Sequence, residues 1–147
     1  MLEKFALTAH ISSTFMMTGI IWLIQLVHYP LFKFVGKEKY SEFHVAHMNW
    51  ITPIVAPTMI VELLTAIYLV VNPPENVDTK ILWFGAALVA VVWASTFFLQ
   101  VPLHEKLAQG FDTETHAALV NTNWIRTIGW TFRGAIVCYF VWKTVKI

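Results

Sequence analysis

ILWFGAALVAVVWASTFFLQVPL, the run from Ile81 to Leu103, carries no charged residue from end to end and is far longer than an ordinary strand. At about 1.5 Å per residue, such a run crosses the roughly 30 Å hydrocarbon core of a bilayer as a single helix. Three more apolar runs accompany it, from about Phe5 to Phe34, Trp50 to Val71 and Trp124 to Trp142. None alternates apolar and polar residues as barrel strands do. The expected fold is all-α, an integral membrane four-helix bundle with several passes and one domain over residues 1–147.

Composition agrees with that reading. Hydrophobic residues are 57% of the 147 and charged residues 13%, about half the charged share of a soluble domain. A net charge of +1 argues against a nucleic-acid partner, which a strongly basic surface would attract. The single cysteine, Cys138, excludes a disulfide framework, a Cys-x-x-Cys redox pair and a zinc knuckle. Lys4 begins the first run and no small-residue cleavage site follows, so that run reads as a retained span.

Asn72-Pro73-Pro74-Glu75-Asn76 marks a short turn between the second and third spans. The stretches 33–49 and 105–123 are longer and polar, with Gly36 and Gly110 expected at helix ends. Both termini and the Pro-Pro turn then share one side. Lys4, Lys80, Lys143 and Lys146 on that side balance Lys33, Lys37, Lys39 and Lys106 on the other, so lysine counting assigns no orientation. An internal echo links Gln25, Gly36, Glu42, His44 and Asn49-Trp50-Ile51 to Gln100, Gly110, Glu114, His116 and Asn123-Trp124-Ile125. It suggests two repeated helical hairpins inserted in the same sense; chance matches and the preference of Trp for interfaces are the competing account.

Helical rise converts sequence position into depth. His28 lies ~36 Å from Lys4, His104 ~36 Å from Lys80 and His47 ~37 Å from Asn72, if the second helix starts early enough. Three histidines thus reach one level near the membrane surface opposite the termini. His44 lies one turn from His47, and His116 reaches a similar height if the fourth helix extends backward. Only His10 falls near the other surface. Glu62 and Arg133 each lie ~15 Å into their helices from that other side, at equal depth and with opposite charge, which predicts a buried ion pair. Arg126 stands between this pair and the histidines, while Gln25 and Gln100 lie about one turn below His28 and His104. Pro53 and Pro57 are expected to free carbonyls toward the interior of the second span.

His28, His44, His47, His104 and His116 are the candidate metal ligands, suited to zinc, copper or non-haem iron. His28, His47 and His104 are also candidate axial ligands of a b-type haem. The plainer alternatives are histidines that only hydrogen-bond at a membrane surface, and a proton relay without metal. A di-iron carboxylate site needs about four glutamates, and the interior offers only Glu62. No Cys-x-x-Cys-His occurs for covalent haem, and no Gly-x-Ser-x-Gly for a hydrolase; Ser12, Ser13 and Ser95 stand away from the histidine level.

Val101-Pro102-Leu103-His104-Glu105-Lys106-Leu107, followed by Asn123-Trp124-Ile125-Arg126-Thr127, resembles the anthrone-oxygenase-like family of small four-span membrane proteins. The likeness covers about the C-terminal third; the family tends to carry Asn where this chain has His104, and His28, His44 and His47 are not its hallmark. The resemblance implies a four-span bundle acting on an apolar aromatic substrate that enters from lipid.

The expected function is therefore a membrane oxidoreductase with a histidine-rich metal or haem site near one surface. Asn123 and Arg126 would orient an anionic or carbonyl group of the substrate, and Glu62 with Arg133 would brace or serve the site. The expected partners are the lipid bilayer, an apolar small molecule, and a second copy or a larger membrane complex. The alternative from another class is an accessory subunit whose histidines and Glu62–Arg133 pair serve helix packing.

Overall fold

The computed structural model describes residues 1–75 and 77–144. Asn76 of the expected turn and Lys146 of the lysine balance lie outside the described residues. Four long helices account for nearly the whole chain, and no strand occurs among the described residues. They are α1 (Leu2–Phe34), α2 (Lys37–Val71), α3 (Thr79–Leu107) and α4 (Thr113–Thr144). α1 packs against α2 and α4, and α3 packs against α2 and α4, so each helix has two principal neighbours.

The first three helices are long and apolar enough to cross a membrane. Among the described residues α4 is not one of them, whereas four runs long and apolar enough were expected. Its polar residues explain the difference. Asn123, Arg126, Thr127 and Arg133 are all buried, so α4 turns its polar groups toward the other helices. The outward surface is apolar instead: Trp50 is 77% exposed, Phe98 79% and Trp142 76%.

The expected long connections are mostly helix. α2 begins at Lys37 rather than near Trp50, and α4 at Thr113 rather than near Trp124. What remains of the two long connections is Val35-Gly36 in the first and 108–112 in the second. A polar stretch makes as good a helix as an apolar one when its interior face has partners, and these stretches supply His44 and His116 to the interior. Gly110 adopts φ +150°, which favours glycine, while its N–H returns to the Leu107 carbonyl at 3.1 Å. Asp112 starts α4 by accepting the Thr115 N–H at 2.7 Å, and Asp78 starts α3 by accepting the Lys80 N–H at 2.8 Å.

Two helices contain a π-helical turn. Ile24–His28 interrupts α1 and Thr96–Gln100 interrupts α3, 72 residues apart. Each leads directly into an X-Pro-Leu sequence, Tyr29-Pro30-Leu31 or Val101-Pro102-Leu103. Proline has no N–H to return to the preceding turn, so the hydrogen-bond ladder is already open where the extra residue is absorbed. The same 72-residue offset separates Glu42 from Glu114 and His44 from His116, which supports the internal echo with a feature of the backbone. α2, by contrast, runs as one helix through Pro53 and Pro57.

Candidate functional site

α1, α2 and α3 bring His28, His44, His47 and His104 together. The ring centroids stand 4.7 Å apart for His28–His47, 5.8 Å for His44–His47, 5.1 Å for His44–His104 and 5.5 Å for His47–His104. Within the group the rings pair. His28 Nε2 meets His47 Nδ1 at 2.9 Å, and His104 Nδ1 meets His44 Nε2 at 3.0 Å. The second pair extends to Tyr29, whose hydroxyl lies 2.8 Å from His104 Nε2. Tyr40, one turn before His44 on α2, stacks on the His44 ring with centroids 5.6 Å apart. Phe32 packs edge-on against His28, His44 and His47. His44 Nδ1 and the Tyr40 hydroxyl are buried without a hydrogen-bond partner.

His116 is placed differently. Its Nε2 binds the Tyr29 carbonyl at 2.8 Å, and its ring lies 6.4 Å from Phe32 and 5.4 Å from Phe111. A carbonyl oxygen only accepts, so His116 carries its proton on Nε2. It holds the backbone that presents Tyr29. As the side chains stand, no group of three or more His, Cys, Asp or Glu among the described residues already surrounds a point that could hold a metal ion. The imidazoles face one another instead.

Below the histidines lies an amide layer. Asn123 donates its side-chain N–H to Gln25 Oε1 at 2.8 Å, Thr127 adds a hydroxyl at 3.2 Å, and Gln25 donates to the Val120 carbonyl at 3.1 Å. Arg126 Nη1 reaches Asn123 Oδ1 at 3.3 Å, and its guanidinium lies 5.3 Å from the Trp130 ring centre. Gln100 faces Ser95 and Thr122 instead, at 3.0 and 3.2 Å, so Ser95 belongs to this interior layer.

The third layer contains the expected ion pair. Arg133 Nε donates to Glu62 Oε1 at 2.8 Å, with both side chains 2% exposed. Thr14 donates to the same oxygen at 2.8 Å, and the Trp130 indole N–H to Oε2 at 2.9 Å. Arg133 also reaches the Gly85 carbonyl. His10, expected near the other surface and outside the histidine level, joins this layer: Arg133 Nη2 lies 3.4 Å from His10 Nε2, and Thr65 Oγ1 lies 2.8 Å from His10 Nδ1. An arginine only donates, so His10 carries its proton on Nδ1. The length of the arginine side chain closes the gap in depth that placed His10 elsewhere.

Between the histidines and the ion pair lies a cavity of about 250 Å³. Ile51, Val55, Met59 and Phe97 supply apolar walls, and Tyr29, His47, His104 and Arg126 supply polar ones. His47 also borders a second, outward groove of about 300 Å³ with Phe43, Trp50 and Ile54. Asn123, Glu62 and Arg133 do not line the cavity. Asn123 steadies Arg126 from behind, and the Glu62 network reaches Arg126 only through the Trp130 ring. Sequence reasoning does not single out Tyr29, Tyr40 or Trp130, and it assigns His10 no partner. Trp130 had a signal, because it lies one turn from Arg126 and nearly one from Arg133; Tyr29 had only its position beside His28. Comparison with known families, curated proteins and solved structures finds no match to this chain.

Proposed function

We propose that this chain is an integral membrane protein, a four-helix bundle crossing the bilayer several times, whose four clustered imidazoles hold one transition-metal ion for oxidation of an apolar substrate. The observation that carries this reading is the meeting of His28, His44, His47 and His104, from three helices, at the rim of an apolar cavity. An isolated polar group inside lipid is costly, so four of them at one depth favour a ligand that repays the arrangement. With metal–nitrogen bonds of ~2.0–2.1 Å, two imidazoles bound tetrahedrally hold their nitrogens about 3.3 Å apart. The paired nitrogens already stand 2.9 and 3.0 Å apart. Small ring rotations would exchange the ring-to-ring hydrogen bonds for bonds to an ion.

Direct ring contact favours a small ion over a haem, because a macrocycle needs its axial rings on opposite faces with room between them. A bound ion supplies redox or Lewis-acid chemistry at the cavity rim. The remaining work falls to the chain: Tyr29 holds His104 in position, His116 holds the Tyr29 backbone, and the apolar walls keep water from the substrate. The likeness of 101–107 and 123–127 to the anthrone-oxygenase-like family adds support, since Val101 and Arg126, which fit its motifs, border the same cavity.

The accessory-subunit reading draws on one specific observation: the histidines pair ring to ring without an ion. Elemental analysis separates the two. Purified protein, incubated in turn with Zn²⁺, Cu²⁺ and Fe²⁺ and then desalted, should retain one ion per chain. His47→Gln and His104→Gln should retain less than about 0.1 with helicity unchanged. Wild-type retention below about 0.1 per chain for all three metals would end the metal reading and leave the accessory role.

A further inference from the structure

Among the polar side-chain atoms that are buried without a partner, two belong to residues lining the 250 Å³ cavity, Arg126 Nε and Trp93 Nε1. Both are N–H groups that can only donate. These two donors have no acceptor in the wall, although Tyr29 and Gln100 also line it, so what completes them must bring oxygen lone pairs. Charge narrows the choice further. Arg133 is neutralised by Glu62, but no carboxylate lies within salt-bridge distance of Arg126 among the described residues. Asn123 and the face of Trp130 soften the buried guanidinium without cancelling its charge.

We infer that the cavity binds a small amphiphilic anion, with a carboxylate-type oxygen head on Arg126 and Trp93 and an apolar body against Ile51, Val55 and Met59. At ~30 Å³ per water-sized group, 250 Å³ holds roughly eight such groups. That suits one substituted aromatic ring and excludes an entire long-chain lipid. The inference names the substrate class of the proposed membrane site, and it rests on that site's cavity rather than on the metal.

The probes are benzoate, benzamide and benzylammonium, which share a ring and differ in head-group charge. Isothermal titration calorimetry on the detergent-solubilised chain, both metal-loaded and chelator-stripped, should show benzoate binding at least about ten-fold more tightly than the other two. Arg126→Gln should remove that preference and Arg126→Lys should keep part of it, with metal retention unchanged in both. Ala56→Leu, which narrows the cavity and leaves Arg126 intact, should weaken benzoate binding and serves if the arginine variants do not fold. Equal binding of the three probes, or a benzoate preference that survives Arg126→Gln, overturns the inference. Benzoate preference in both preparations, with no metal retained by either, upholds the anion site while the metal reading fails.

Discussion

The Trp130 indole joins the two halves of the interior, because its face receives Arg126 while its N–H reaches Glu62. Trp130→Phe deletes the N–H donor and the five-membered ring of a fully buried side chain. It should therefore lower stability by at least about 1.5–3 kcal/mol, the worth of a hydrogen bond to a charged acceptor, with a cavity cost added. Thermal unfolding in detergent measures that difference. Glu62→Gln should cost more, about 3–5 kcal/mol, since it leaves Arg133 charged and buried without its counter-ion. The double variant Glu62→Met/Arg133→Met should cost much less than the summed losses of Glu62→Met and Arg133→Met alone; simple additivity there would show that the pair is not coupled. At this scale the sequence was partly legible. Equal depth and opposite charge announced the Glu62–Arg133 pair, whereas Thr14, Trp130 and His10 entered through side-chain reach, which counting along a helix does not register.

Between elements, the glycine with least room for a side chain is Gly129, where α4 packs on α3. A Cβ placed there would stand 2.7 Å from Val92 Cγ2, a branch fixed near its own backbone. Gly129→Ala should therefore force the helices apart or strain Val92 and cost about 1–3 kcal/mol. Adding Val92→Ala should recover part of that loss, again read by thermal unfolding. The start of α4 offers a pH test outside the apolar spans. Hydrogen bonds from Thr115 hold the Asp112 carboxyl below its ordinary range. A lowered folded-state value contributes stability above the ordinary carboxylate range and loses it as pH falls through the folded value. Asp112→Ala should thus unfold at a lower temperature than the wild type near neutrality, and the gap should close below about pH 4. A gap independent of pH would show that the carboxylate is not the cap. The start of α3 and the Gly110 turn followed from residue type, but the early starts of α2 and α4 did not. Hydropathy locates the lipid-facing part of a helix, and these extensions are polar.

Over the whole molecule, polarity is inverted, with an apolar exterior around layers of histidine, amide and ion pair. In bilayers carrying bromine on the lipid chains, emission from exposed Trp50, Trp83 and Trp142 should be quenched. A variant retaining Trp130 as its sole tryptophan should remain protected; equal quenching would contradict the packed interior. The sequence alone determined the helical class, the long apolar runs and the levels at which the histidines and the Glu62–Arg133 pair lie. Rise per residue is nearly constant, so depth is a linear function of position. Tertiary structure decided which rings meet: His28 with His47, His44 with His104, His116 with a carbonyl, His10 with Arg133. Those contacts depend on rotation about each helix axis. A single extra residue, as in either π turn, shifts that rotation by about 100° while moving depth by only ~1.5 Å.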